Sequence, residues 1–144
     1  MPEEKPIHQT YLQVHTKLED LTEVLQWFER AIKQCVPEAV FWQCQVALAE
    51  GFTNTVRHAH RNLPATTPIE LKVDLFARSL EICIWNFGQP FDLEAALRAL
   101  PREKEQLLYK EDGRGLFFME QLTDELRYVR TDNGRNCLIM RKQF

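Results

Sequence analysis

The stretch ALAEGFTNTVRHAH, residues 47–60, sets a carboxylate, Glu50, inside a run that otherwise reads as core: Val46, Ala47, Leu48 and Ala49 precede it, and Gly51 and Phe52 follow. Isolated buried charge is costly, so a carboxyl held there pairs, takes up a proton, or serves a site that opens onto solvent. Asn54 stands one helical turn later, and His58 and Arg61 continue along that face, so a polar line crosses an apolar helix. A solvated Glu50 on an amphipathic helix would look the same, and alone that is the commoner arrangement. The neighbouring segments decide between the two.

Outward from this stretch, Pro37 suits the first position of a helix, and no other proline occurs until Pro64, so residues 37 to about 61 read as one long helix. Before it, Asp20 with Glu23 three residues on resembles a capping box, and Leu21, Val24, Leu25, Phe28 and Ile32 follow at helical spacing, leaving Trp27 off the stripe and exposed. Residues 10–18, with Leu12, Val14 and Leu18 apolar, suggest a first strand, and residues 1–6 a short mobile tail. After the long helix, Ile69, Leu71, Val73 and Leu75 alternate with Glu70, Lys72 and Asp74 in IELKVDLF (69–76), and after a short turn at residues 77–79 a second run, LEICIWNFG (80–88), begins, which is a hairpin. Residues 89–112 are charge-rich, with a helical patch near 93–100, and are longer than most loops in a compact domain, a length typical of lids. Gly115 opens a helix to about Leu122, and ELRYVRTDNGRNCLIMRK (125–142) forms two strands about Asn133-Gly134. The order β-α-α-β-β-lid-α-β-β predicts an α+β sandwich with helices packed on one face of a mixed, mostly antiparallel sheet. No repeat or linker divides residues 1–144, which read as a single domain.

Two further places break a local rule. Leu80, Ile82 and Ile84 share a face by period-two alternation, which puts Asn86 on that inward face, with Gly88 just beyond. Beginning a turn is an equally good reading of Asn86 by itself. In Glu111-Asp112-Gly113-Arg114-Gly115, two glycines flank an arginine before a helix, so backbone N–H groups and Arg114 together form an anion site. A lone G-x-G is weak, but Gly88, Gly113 and Gly115 bracket the one long loop.

Other chemistries find little support. His58 and His60 are two apart and do not face the same way on a helix, which argues against a zinc site. Ser79 is the only serine and falls in a turn, which leaves no serine nucleophile. The four cysteines lie far apart and read as reduced, mostly buried small hydrophobes. With 144 residues, 44% of them hydrophobic, and a net charge of −3, the chain can bury a core without staples. It offers no basic stripe for direct nucleic-acid contact, no apolar stretch of membrane-spanning length and no secretory h-region, so a cytoplasmic protein is expected.

Taken together, Glu50-x-x-x-Asn54, Asn86-x-Gly88 and Gly113-x-Gly115 across a lid resemble the N, G1 and G2 boxes of the Bergerat (GHKL) ATP-binding fold. Short length and the stretch at residues 47–60 look like the anti-sigma-factor serine/threonine kinases, and the resemblance runs from about Leu12 to Met140. It implies ATP and Mg²⁺ as cofactors, Glu50 as the general base, and Asn54 as the Mg²⁺ ligand. It also implies Gly113, Arg114 and Gly115 at the phosphates, residues 89–112 as the ATP lid, and Asn86 facing adenine beside Gly88. Phosphoryl transfer is mostly positioning and charge neutralisation, so one carboxylate, one metal and a cradle of N–H groups can suffice.

The chain departs from the family at position 86, where Asn replaces the Asp that accepts from the adenine amine. Asn offers a neutral carbonyl oxygen instead, which weakens nucleotide binding by about 1–2 kcal/mol, roughly five- to thirty-fold. The resemblance implies a kinase that phosphorylates a STAS-domain anti-sigma antagonist, binds a sigma factor, and forms a homodimer to which Trp27 or the first strand contributes. The competing expectation is a degenerate Bergerat-fold regulator that binds its partner with weak or no kinase activity. A detached histidine-kinase catalytic domain ranks last, because neither His58 nor His60 lies in a phosphoacceptor dimerisation helix.

Overall fold

The computed structural model describes residues 4–90, 92–100, 111–131 and 133–144. Five strands, β1 (His8–His15), β2 (Pro68–Leu75), β3 (Ser79–Asn86), β4 (Glu125–Arg130) and β5 (Asn136–Gln143), form one sheet in the order β1-β2-β3-β5-β4. All four pairings are antiparallel. Alternation settles the register. Leu71 lies opposite Ile84 and Val73 opposite Ile82 across β2–β3, and Ile82 lies opposite Met140 and Ile84 opposite Leu138 across β3–β5. All of these side chains are buried on one face, and a one-residue slip would turn every one of them to the other.

Helices α1 (Leu21–Ile32), α2 (Glu38–Asn54) and α4 (Glu111–Leu122) cover that face, and a short α3 (Leu93–Arg98) lies between α2 and α4 in the chain. α2 packs against both α1 and α4. From α1 come Val24, Phe28 and Ile32 and from α2 Phe41, Cys44, Leu48 and Phe52, all buried. Phe28 stacks on Phe41 with ring centroids 5.6 Å apart. Mid-helix Gly51 has its reason here. A Cβ at that position would lie 2.9 Å from Ile84 Cδ1 and 3.2 Å from both Leu138 Cδ2 and Met140 Cε, so its absence lets α2 settle onto the sheet.

Several element ends differ from the sequence reading. β1 stops at His15, and Leu18 falls in an exposed 3-10 turn, Leu18–Asp20. That turn already holds Asp20 in helical dihedrals, so its carboxylate does not cap α1 but accepts the His15 N–H at 2.9 Å. Trp27 is half-buried rather than exposed, its indole N–H donating to Thr10 Oγ1 at 3.0 Å. Pro37 is the residue before α2 rather than its first, and α2 ends at Asn54, from which the chain passes into a π turn, Thr55–Ala59. α4 begins at Glu111, four residues before Gly115. Of the expected lid, 89–112, residues 91 and 101–110 lie outside the described residues, as do residues 1–3 of the expected tail. Cys44, Cys83 and Cys137 are buried and Cys35 is exposed, all four as free thiols.

Candidate nucleotide site

On the inward face of β3 and β5 the apolar pairs Ile82–Met140 and Ile84–Leu138 give way to Asn86 opposite Asn136. Both are sealed from bulk solvent, Asn86 1% and Asn136 0% exposed. Buried amides need partners. Asn86 Oδ1 accepts the Gly88 N–H at 3.0 Å, Asn136 Nδ2 at 3.1 Å and the Tyr128 hydroxyl at 3.4 Å. Asn136 Nδ2 also donates to the Gly88 carbonyl at 2.6 Å, while its Oδ1 accepts from Arg130 at 3.1 Å. Two asparagines, a tyrosine and an arginine thus fix the backbone that follows β3.

A second clamp comes from the end of α2. Thr55 Oγ1 donates to the Gly51 carbonyl at 3.0 Å, and the His60 N–H reaches back to the Thr55 carbonyl at 2.9 Å, the wider ladder of a π turn. The turn carries the Ala59 carbonyl up against Gly88, where a Cβ would lie 2.3 Å from it. Close approach is what the glycine permits. Next to it His60, 2% exposed, accepts the Phe87 N–H on Nε2 at 2.9 Å. That bond puts the ring proton on Nδ1, which is buried without a partner.

Burial holds the His60 pKa below its ordinary 6.5. The sign of the consequence follows from proton counting. Just below pH 6.5 the unfolded chain binds a proton that the folded chain does not, so stability is full above that pH and falls as the pH drops. Urea midpoints measured across this range should decline toward acid in the parent, with a shallower slope in His60→Gln. Equal slopes would remove His60 as the cause.

Between the two clamps opens a cavity of about 610 Å³. Its wall includes Asn54, Thr55, His58, Asn86, Gly88, Leu93, Leu116, Met119, Tyr128 and Leu138. Three residues singled out from the sequence, Asn54, Asn86 and Gly88, therefore meet in one wall. Glu50 is not part of it. Half-buried one turn before Asn54, it rests against α4, where a Cβ on Gly115 would come 2.7 Å from Glu50 Oε2. Gly113, Arg114 and Gly115 lie within α4 instead of in a loop before it, and Arg114 is exposed. The glycine at 115 serves the approach of α2 to α4.

Asn136, Tyr128 and His60 were missed. Asn136 had a signal: in Met140, Leu138, Asn136 a polar residue ends an inward apolar row, as Asn86 does on β3. Among the described residues no group of three or more His, Cys, Asp or Glu could hold a metal, and His60 is engaged with Phe87. Asn54 supplies a side-chain oxygen of the hard type that Mg²⁺ takes beside substrate phosphates, so the donors present fit Mg²⁺ held jointly with a nucleotide. The cavity and the glycine approach fit the nucleotide itself. No helix among the described residues is long and apolar enough to cross a membrane.

Residues 14–142 match the histidine kinase-like ATPase domain family. The serine-protein kinase RsbW of Staphylococcus epidermidis is 33% identical over 108 residues, covering 64% of this chain and 68% of that protein. RsbW of Bacillus licheniformis is 32% identical over 93 residues, covering 62% of this chain and 57% of that protein. The match with the Bacillus protein thus spans little more than half of its length. The crystal structure of the RsbU and RsbW domains of a Mycobacterium tuberculosis protein superposes with a TM-score of 0.67 at 13% identity, covering 96% of this chain and 33% of that one, a likeness of fold. The chain belongs to the histidine kinase-like ATPase domain family, within the Bergerat (GHKL) superfamily, where it is similar to the serine-protein kinases named RsbW.

Proposed function

We propose that the chain is an ATP- and Mg²⁺-dependent serine/threonine protein kinase that phosphorylates a STAS-domain anti-sigma antagonist and also binds a sigma factor. The observation that carries this reading is the carboxylate of Glu50, held against Gly115 one helical turn before Asn54, which lines the cavity. In this reading Glu50 accepts the proton of the acceptor hydroxyl, and Asn54 holds the metal through its side-chain oxygen. The magnesium ion, when bound, offsets phosphate charge. The clamps at Phe87 and Gly88 fix the wall against which the base lies, and the backbone N–H groups of Gly113, Arg114 and Gly115 face the phosphates. Exclusion of water falls to the apolar wall of Leu93, Leu116, Met119 and Leu138. The protein acts in the cytoplasm as a homodimer, for which β1, at the sheet edge, offers unpaired backbone and an exposed Tyr11.

The test is incubation with γ-labelled nucleoside triphosphate, Mg²⁺ and a STAS-domain antagonist. Label on a serine or threonine of the antagonist, lost on chelation of magnesium, supports the kinase. Stable capture of the antagonist without label would favour the second reading, a binding regulator with weak or no turnover. The observation on that side is the Asn86 oxygen, already taken by three protein donors and so closed to the adenine amine.

A further inference from the structure

The chemistry of the base-reading atom can be fixed from backbone groups alone. The atom of Asn86 that lies 3.0 Å from the Gly88 nitrogen faces an N–H that can only donate, so it is the amide oxygen. The atom of Asn136 that lies 2.6 Å from the Gly88 carbonyl faces a group that can only accept, so it is the amide nitrogen, and it donates to the same Asn86 oxygen at 3.1 Å. The Tyr128 hydroxyl adds a third donor at 3.4 Å. An amide oxygen has two lone pairs, and these contacts use them.

Asn86 therefore has only its amide nitrogen left to offer. Among the described residues Nδ2 has no hydrogen-bond partner, yet it is not one of the sealed, unsatisfied polar atoms, which are Thr16 Oγ1, His60 Nδ1 and Asp74 Oδ1. Its remaining access is to the cavity that Asn86 lines. Asparagine commonly reads adenine with oxygen and nitrogen together, accepting from the exocyclic amine while donating to a ring nitrogen. That mode needs a free oxygen and is closed here. Opposite position 6 of the base, where the nucleotide reading sets Asn86, a lone donor meets the 6-amino group of adenine donor to donor. It meets the 6-oxo group of guanine or hypoxanthine donor to acceptor.

We propose that this cavity selects a 6-oxopurine nucleotide over ATP, with Asn86 Nδ2 donating to the exocyclic oxygen of the base. The proposal rests on the reading of the cavity as a nucleotide site. ATP then becomes the weaker of the donors the site takes. Asn136 and Tyr128 are positioning residues: they hold the oxygen of Asn86 and so aim its nitrogen.

Calorimetric titration of the whole chain with GTP, ITP and ATP, each with Mg²⁺, tests this without any turnover. The expected result is that at least one of ITP and GTP binds about tenfold or more tighter than ATP. ITP alone doing so also supports the proposal, and adds that the wall leaves no room for a 2-amino group. In Asn86→Asp, which turns the cavity-facing atom into an acceptor, the order should reverse in favour of ATP by a similar factor. If the unaltered chain binds ATP as tightly as both 6-oxopurines, or more tightly, the selection is wrong while the nucleotide site stands. If a folded chain binds none of the three at millimolar concentration, the nucleotide site itself falls.

Discussion

Glu50→Gln is expected to cut phosphoryl transfer to the antagonist by about 10²- to 10⁴-fold, the usual weight of a positioned general base. The exchange keeps the size and hydrogen-bonding reach of the side chain and removes its basicity. Packing against Gly115 is therefore retained, and since Glu50 is half-buried and outside the cavity wall, nucleotide affinity should change by less than about threefold. Single-turnover transfer from saturating nucleotide, with binding measured separately, reads the two effects apart. Transfer within about threefold of the parent would show that Glu50 is not the base. Gly115→Ala is the companion variant. Its methyl would lie 2.7 Å from Glu50 Oε2, the far end of a flexible side chain, so the fold should survive while the carboxylate moves and transfer slows. A slower Gly115→Ala with unchanged thermal stability would tie the rate to where the carboxylate sits.

The strands were legible because alternation fixes both their existence and their facing, and it carried Asn86 to the inward end of β3, where the structure has it. α4 was legible only in part. Gly113 and Gly115 read as marks of a loop, since each costs a helix roughly 1 kcal/mol relative to Ala. The helix runs through both, because a bare Cα at 115 is what lets α4 meet Glu50 of α2, and that packing overrides propensity. The π turn was illegible for another reason. Residues 55–61 continue the helical pattern without a proline, and nothing in the pattern shows that the Thr55 hydroxyl will bond the Gly51 carbonyl and widen the ladder. Of the site, Asn54, Asn86 and Gly88 could be found because each breaks a local rule. Tyr128 breaks none: it alternates with its neighbours as any half-buried strand residue does, and only the closure of β4 onto β5 brings it to Asn86.

Gly88→Ala should be the most damaging of the small glycine substitutions, and the neighbours of each glycine say why. At Gly51 the added methyl meets the tips of Ile84, Leu138 and Met140, which can turn aside, and the cost of crowding is set against the roughly 1 kcal/mol that Ala gains in a helix, for a net change near zero. Gly134 sits at φ +79, and a Cβ there would have its nearest neighbour, Arg130 Nη2, at an ordinary contact distance of 3.9 Å, so Ala pays only the left-handed backbone, about 1–2 kcal/mol. At Gly88 the methyl meets backbone: the Ala59 carbonyl oxygen at 2.3 Å and its carbon at 2.8 Å. No rotamer relieves that. Either the π turn withdraws, which pulls His60 from the Phe87 N–H, or the chain after β3 shifts, which pulls the Gly88 carbonyl from Asn136. Overpacking plus one broken buried hydrogen bond comes to about 3 kcal/mol or more, on the order of 10 °C in Tm for a chain of this size. Because either shift moves a wall of the cavity, nucleotide binding should fall with stability. A Gly88→Ala protein with a Tm within about 2 °C of the parent and undiminished nucleotide affinity would mean that the approach of Ala59 to Gly88 does not shape this site.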